Sequence, residues 1–333
     1  MRITTKSLLR NYKVNLNNSL SNLEAARKQV LTERQFNKMS EDPAAAVKAF
    51  QLRSEYSKNA NYLSNLENAQ GTLDSVESNL NQMNTIMTQI YSDVLQAVTG
   101  TTSDDQRDTI ATGLREMQQS ILLCANATYG GKFIFGGAST KEVPFELSSD
   151  GLTLTYRGID VNSSDTADQT ELAALADETL YTDLGFGLKY DVGGNLIKSS
   201  AFDTATPGID ILGYGSDGGM SNNIVVLIGQ MADALESDSF TSESFSTLTD
   251  KFNGLKDGLV NKLTQLGTKS QFLETTKSRL EDDQTTLNEK IVAIEDVDLA
   301  EATTNYSWAQ YAYQAALKVG NSILTPSFID FMD

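Results

Sequence analysis

The stretch "LRSEYSKNANYLSNLENAQGTLDSVESNLNQMNTIMTQIYSDVLQAV", Leu52 to Val98, decides the fold. Leu52, Asn59, Leu66, Leu73, Leu80, Met87 and Val94 stand seven residues apart. Tyr62, Ala69, Val76, Met83, Ile90 and Ala97 form a second row at the same interval. An α-helix turns once per ~3.6 residues, so strict sevens hold both rows on one face only when helices coil left-handedly about each other. From Leu52 to Ala97 such a helix extends about 68 Å at ~1.5 Å per residue. A partner lies farther along the chain. Phe245, Phe252, Leu259, Leu266, Leu273, Leu280, Leu287 and Ile294 keep the same interval, while the adjoining row degrades from Leu248 and Leu255 to Lys262, Lys269, Thr276 and Asp283. One narrow apolar stripe predicts a small bundle with an exposed back.

Outward from these rows the punctuation is clear. In "NKMSEDPAAAVKAF" Asp42 can cap free N–H groups and Pro43 suits the first helical position, where its missing donor costs nothing. In "TGTTSDDQRD" Gly100 stops a helix, and Ser103 with Gln106 forms a capping box for the next. That next helix carries Ile110, Leu114, Met117, Ile121, Cys124 and Thr128 on one stripe and is expected to end at Gly130–Gly131. From about Lys132 the period becomes two. "FIFGG" and "VPFELSSDGLTLTYRG" read as strands, the latter turning at Asp150–Gly151, and "GFGLKYDVGGNLIKSS" repeats the device at Gly193–Gly194. "ADQTELAALADETL" between them reads as a short helix, and helix returns with "SNNIVVLIGQMADALES".

The two ends share a rhythm. Leu299, Ala302, Tyr306, Ala309, Tyr313, Ala316, Gly320 and Ile323 are spaced by threes and fours, as are Leu9, Tyr12, Leu16, Ser19, Leu23, Ala26 and Val30. Asn11, Asn15, Asn17, Asn18 and Asn22 are weak helix formers, so the first helix depends on packing and is expected to be largely disordered alone. Between Ile294 and Leu299 the step is five, which turns the last helix to a new direction and marks a joint.

The fold class that follows is mainly α: a long antiparallel coiled-coil rod, a small β-rich insertion, and terminal helices that pair on assembly. Residues 1–40 and 296–333 form the terminal helices, 41–139 and 218–295 the rod, and 140–217 the insertion. A chain that runs out along a rod and returns brings its ends together. Leu9, Tyr12, Leu16, Leu23, Ala26, Val30, Leu299, Ala302, Tyr306, Ala309, Tyr313, Ala316, Gly320 and Ile323 are therefore the candidate assembly interface. The surface left over should bind further copies in a ring or tube.

Composition excludes much else. The 26 basic and 44 acidic side chains leave a net charge of −18, unsuited to nucleic acid or anionic lipid. With no histidine and one cysteine, the chain lacks the usual general base, the histidine metal sites and any intrachain disulfide, so neither a catalytic nor a metal site nor a cofactor is expected. Cys124, on an apolar stripe, reads as a buried structural thiol. "YGGKFIFGG" lacks the Lys-Ser/Thr of a phosphate loop, and "SDDQRD" and "EDD" lack calcium-loop spacing. Tyr306, Trp308, Tyr311 and Tyr313 have only Lys318 among them, which favours packing over stacking on bases. No apolar run approaches the ~20 residues of a membrane span, and the N-terminal stretch has no apolar core of a secretory signal.

"MRITTKSLL", "SEDPAAAVKAFQLR", "YGGKFIFGGAST", "AIEDVDLAEATTNYSWAQYAYQAALKVGNSIL" and "TPSFIDFMD" occur in that order around the insertion. Through them the chain resembles the flagellin superfamily of bacterial flagellar axial proteins over about 1–139 and 218–333, and within it the hook–filament junction members. The resemblance implies a structural role without enzyme activity, export unfolded through the flagellar type III channel without a cleaved signal, and an extracellular place in the flagellum. It also implies junction-protein and flagellin neighbours, and an export chaperone on the C-terminal helix. A flagellin-type filament subunit, and a non-flagellar coiled-coil interaction module, remain as alternatives.

Overall fold

The structure is a computed structural model that describes residues 5–99, 102–194, 196–197, 201–237 and 240–324. The stretches "MRIT" and "TPSFIDFMD" and the side chain of Ile323 lie outside the described residues. In chain order the elements are α1 (Thr5–Thr32), α2 (Pro43–Val98), α3 (Asp104–Ala125), β1 (Thr128–Tyr129), β2 (Lys132–Phe133), β3 (Phe145–Leu147), β4 (Leu154–Tyr156) and β5 (Ile159–Asp160). They continue with α4 (Thr166–Ala176), β6 (Tyr181–Thr182), β7 (Phe202–Asp203), α5 (Gly208–Leu212), β8 (Ser216–Asp217), β9 (Met220–Ser221), α6 (Ile224–Glu236), α7 (Ser242–Glu295) and α8 (Leu299–Leu324). The chain is mainly helical with small antiparallel sheets, the class its periodicities anticipate. It divides into a terminal unit, residues up to 60 with those from 281 onward, and an inner unit, residues 61–280.

In the inner unit the seven-residue rows are the core. Leu66, Leu73, Leu80, Met87 and Val94 of α2, with Ala69, Val76, Met83, Ile90 and Ala97, are buried, as are Phe245, Phe252, Leu259, Leu266, Leu273 and Leu280 of α7. Each such leucine, isoleucine or phenylalanine contributes roughly 1.5–3 kcal/mol by leaving water. Glu67 with Lys277 at 3.7 Å and Gln70 with Ser270 at 2.7 Å show the two helices running antiparallel. The back of α7 is not left bare as its polar row suggests. Lys262 pairs with Asp210 of α5 at 2.5 Å, and Lys269 donates to the Asp203 carbonyl of β7 at 3.3 Å. The polar row is where the insertion docks.

The insertion and the segment leading into it share that core through Phe135, Phe145, Leu154, Tyr156, Val161, Leu172 and Ile209. β3, β4 and β5 form an antiparallel sheet with Phe145 opposite Tyr156 and Leu147 opposite Leu154, so the expected turn near Asp150–Gly151 is present. Its loop is pinned to the helices by the buried Gln118, which donates to the carbonyls of Gly151 (2.7 Å) and Val225 (2.8 Å). One boundary differs from expectation. α3 ends at Ala125, not at Gly130–Gly131, because Asn126 leaves the helix to exchange two hydrogen bonds with the Phe145 backbone, at 2.8 and 3.0 Å. Thr128 thus belongs to a β1–β2 hairpin, whose turn uses the left-handed φ of Gly130 (58°) and Gly131 (77°).

Candidate assembly interface

α1 and α8 pack together within the terminal unit. On α8 the residues withdrawn from solvent are Ala302, Tyr306, Ala309, Tyr313, Ala316 and Gly320, and every other described side-chain position from Leu299 to Asn321 is exposed. On α1 the matching residues are Tyr12, Leu16, Ser19, Leu23, Ala26 and Val30. Threes and fours on two helices thus become one seam, the i, i+3, i+4 stripe that a helix presents to a single neighbour. Leu9 and Leu299, candidates from the same rows, stand 38% and 45% exposed. Gly320 is fixed by close approach, since a Cβ there would lie 1.9 Å from the Tyr12 hydroxyl oxygen.

The base of the pair is held by polar contacts that no periodicity reveals. α1 ends and the chain reverses through Glu33, at φ 58°. Gln35 N–H donates to the Glu295 carbonyl at 2.8 Å, and Val297 N–H donates to the Glu33 carbonyl at 3.0 Å, stitching the two interhelical links together. The Glu295 carboxylate is almost buried and accepts from Arg53 Nε at 2.6 Å, from a second Arg53 nitrogen, and from Arg34 at 3.3 Å. Arg53 chiefly, against the opposing effect of burial, holds this carboxyl below the usual glutamate range. On the surface beside it, Glu41 accepts from Asn37 N–H (2.6 Å) and Lys28 (2.7 Å) and is lowered to about 2, the Asn37 backbone being the largest cause. Asp42 caps α2 through Ala45 N–H (2.9 Å), as the sequence anticipates, and Asp298 caps α8 through Ala300 N–H (2.8 Å).

The pair does not use all its apolar surface. Trp308 and Tyr311 are 70% and 68% exposed, and with Ala312 and Ala315 they form a row on α8 turned away from the seam with α1. From spacing and composition alone the four aromatics of α8 read as one packing group. The structure separates Tyr306 and Tyr313, turned into the seam, from Trp308 and Tyr311, turned out. The signal lies in the spacing, because 308, 311 and 315 keep their own three-four rhythm more than a third of a turn from the first.

No group of three or more histidine, cysteine or acidic side chains able to hold a metal occurs among the described residues, and no described helix is long and apolar enough to cross a membrane. Cys124 is buried, which pushes its thiol up and away from the reactive thiolate.

Residues 3–140 match the model of the bacterial flagellin N-terminal helical region, and residues 253–323 match that of the bacterial flagellin C-terminal helical region. The chain belongs to the bacterial flagellin family. Among its relatives, flagellar hook-associated protein 3 of Salmonella typhimurium is 27% identical over 327 residues, 96% of this chain and 95% of that protein. The Escherichia coli protein of the same name is 26% identical over 323 residues, with the same coverage. Two solved structures share the fold. One, from Vibrio parahaemolyticus and provisionally assigned as flagellar hook-associated, superposes with a TM-score of 0.61 at 20% identity, over 76% of this chain and 99% of its own. The other, FlgL of Bacillus cereus, gives 0.52 at 18% identity, over 73% and 99%. The matched regions take in α1, the whole of α2 and α3, α7 from residue 253 onward and α8 as far as residue 323, and leave the insertion outside.

Proposed function

We propose that the chain is a structural subunit of the bacterial flagellum that joins hook to filament, and that its terminal helix pair is the part that assembles. The observation that carries this reading is the row of Trp308 and Tyr311, exposed on α8 while the opposite face of the same helix is filled by α1. A helix with two apolar faces, one of them packed on α1 among the described residues, has a face for another molecule. The occupant of that face is another copy of this chain or a close relative in a ring or tube, the junction and flagellin neighbours lying at its ends. The full-length likeness to hook-associated protein 3 in two organisms supports a junction role over a filament role.

Export follows from the same surface. An apolar row on a terminal helix of a −18 chain needs shielding before assembly, which suits a helical chaperone on α8 and passage in unfolded form through the type III channel to the cell exterior. The seam itself is poor in large side chains, so the pair is held more weakly than the inner core until further copies cover it.

Deletion of the chain from its bacterium tests the reading. Hooks without filaments, with flagellin shed into the medium, are expected in electron micrographs. Normal hooks carrying altered filaments would instead assign the chain to the filament. Removal of residues 299–333 should leave the inner unit folded and the truncated protein missing from purified flagella.

A further inference from the structure

In the inner unit, exposed large apolar side chains concentrate in the connection between β6 and β7. Phe186, Leu188 and Tyr190 are 42%, 37% and 62% exposed, and Val192 is wholly so. This segment is anchored at its root. Phe186 stacks on Phe272 at 5.7 Å, Phe272 on Phe202 at the same distance, and the Arg279 guanidinium lies 5.1 Å over the Phe186 ring. Its outer part is a narrow hairpin in which Tyr190 bridges Leu196 and Ile197 N–H donates to the Lys189 carbonyl at 2.8 Å. The Asp191 carboxylate accepts from Gly193 N–H at 2.8 Å and fixes the turn. The result is a finger with a firm base and an apolar tip bearing one carboxylate. Single exposed apolar residues need no explanation, but four at alternate positions along one finger present a surface.

The same unit holds a groove of about 640 Å³ between α2, the β1–β2 hairpin and the β6–β7 pair. Its walls include Ala69, Tyr129, Phe133, Ile134 and Thr140, and its cation is Lys132. Among the described residues its lining holds no acidic side chain, and the carboxylate of Glu178, which accepts from the lining Ala138 N–H at 2.9 Å, is already paired with Arg157 at 2.8 Å. Roughly 300–1,000 Å³ is the size of pockets that engulf small groups, ample for the tip of a hairpin.

We propose that the finger of one copy docks in the groove of the next, Val192 and Tyr190 against the apolar walls and Asp191 toward Lys132. This inference rests on the reading that copies assemble together. Two chains each carrying −18 repel over most of their surfaces, so contact is favoured where one side offers a lysine and the carboxylate beside it, Glu178, is already paired with Arg157. A finger and a groove on different parts of one chain make a head-to-tail contact, which repeats around a ring or along a helix.

Cross-linking tests it. The full-length protein carrying both Val192→Cys and Thr140→Cys is expressed in place of the native chain, and purified flagella are oxidised. A ladder of linked copies is expected from the double variant, none from either single variant, and none from the dilute monomer. A chain that is present in flagella yet gives no ladder overturns the docking alone, as does a link formed within the monomer or from Val192→Cys to another flagellar protein. Absence of the unmodified chain from flagella overturns the assembly reading and the docking with it. Val192→Asp provides a second measure: unchanged thermal unfolding of the monomer, with several-fold fewer copies retained in flagella. Undiminished retention counts against the contact.

Discussion

The seam of the terminal unit and the core of the inner unit are written in related rhythms with different letters. Along α2 the inner rows read Leu66, Leu73, Leu80, Met87 and Val94, backed by Met83 and Ile90, and α7 answers with Phe252, Leu259 and Leu273. Along α8 the seam reads Ala302, Tyr306, Ala309, Tyr313, Ala316 and Gly320, so four of its six positions carry a methyl group or less. At ~25 cal/mol per Å² of apolar surface buried, such a seam gains little from one partner. Small residues do allow close approach, shown by Tyr12 lying where a side chain at 320 would be. The inner unit is stable by its own burial, whereas the terminal pair, on the assembly proposed above, is completed by a neighbouring copy.

Core truncation in the inner unit gives the largest effect expected from this contrast. Phe252 is fully buried, and Phe252→Ala should destabilise the isolated monomer by ~3–5 kcal/mol, read from denaturant unfolding. Tyr306→Ala, in the terminal seam, should leave that main transition in place. Equal shifts for both would show that the two units unfold as one and would break the comparison.

Next comes overpacking of the seam. Gly320→Leu forces a side chain into the space of Tyr12 and should open the pair by ~1–3 kcal/mol, seen as faster amide exchange along α1 without change in α6. Tyr12→Ala in the same chain should restore part of the protection. If Gly320→Leu exchanges like the parent protein, α1 and α8 are not seated in this way in solution.

The clasp at Glu295 is smaller in effect and depends on pH. Its carboxyl is depressed in the folded state, so its contribution is complete above the ordinary glutamate value of ~4.3 and is lost as pH falls through the lower folded value. Arg53 is half exposed, which limits the interaction to about 1 kcal/mol after solvent screening. Protection of the Gln35 and Val297 N–H groups, the ratio of intrinsic to observed exchange rate, should therefore be level from pH 5 to 8 and fall on acidification below it. Glu295→Gln should show the lowered protection already at neutral pH. A pH profile identical in the variant would remove Glu295 from the joint.

These contrasts mark how far the sequence is readable. The rows at sevens give the inner core almost residue by residue, because burial on a helix is periodic and the buried letters are large. The seam rows are equally readable on α1 and α8, but which aromatics of α8 face outward is decided by a partner helix that occupies one side only. The Glu295–Arg53 contact joins residues 242 apart, and no spacing encodes the register between antiparallel helices. Lys262 and Lys269 read as an exposed back because the position of the insertion, which supplies Asp210 and the Asp203 carbonyl, is not periodic. The end of α3 is misread for a similar reason: Asn126 is a weak stop until Phe145 arrives to bond it.

The smallest effect on the monomer is the sharpest test of the comparison. Trp308 lies 70% exposed on α8, beyond the reach of the seam, so Trp308→Asp should alter monomer stability by less than ~0.5 kcal/mol and leave exchange along α1 unchanged. The same carboxylate placed between packed copies would be buried without a cation, which costs several kcal/mol at each repeated contact. The variant should therefore be made, fold and remain monomeric, yet be missing from purified flagella. Trp308→Phe keeps an aromatic face and should assemble. Were Trp308→Asp to join the flagellum as well as the parent chain, the outward row of α8 would be ordinary solvent-facing surface, and the terminal unit would differ from the inner one only in being weaker.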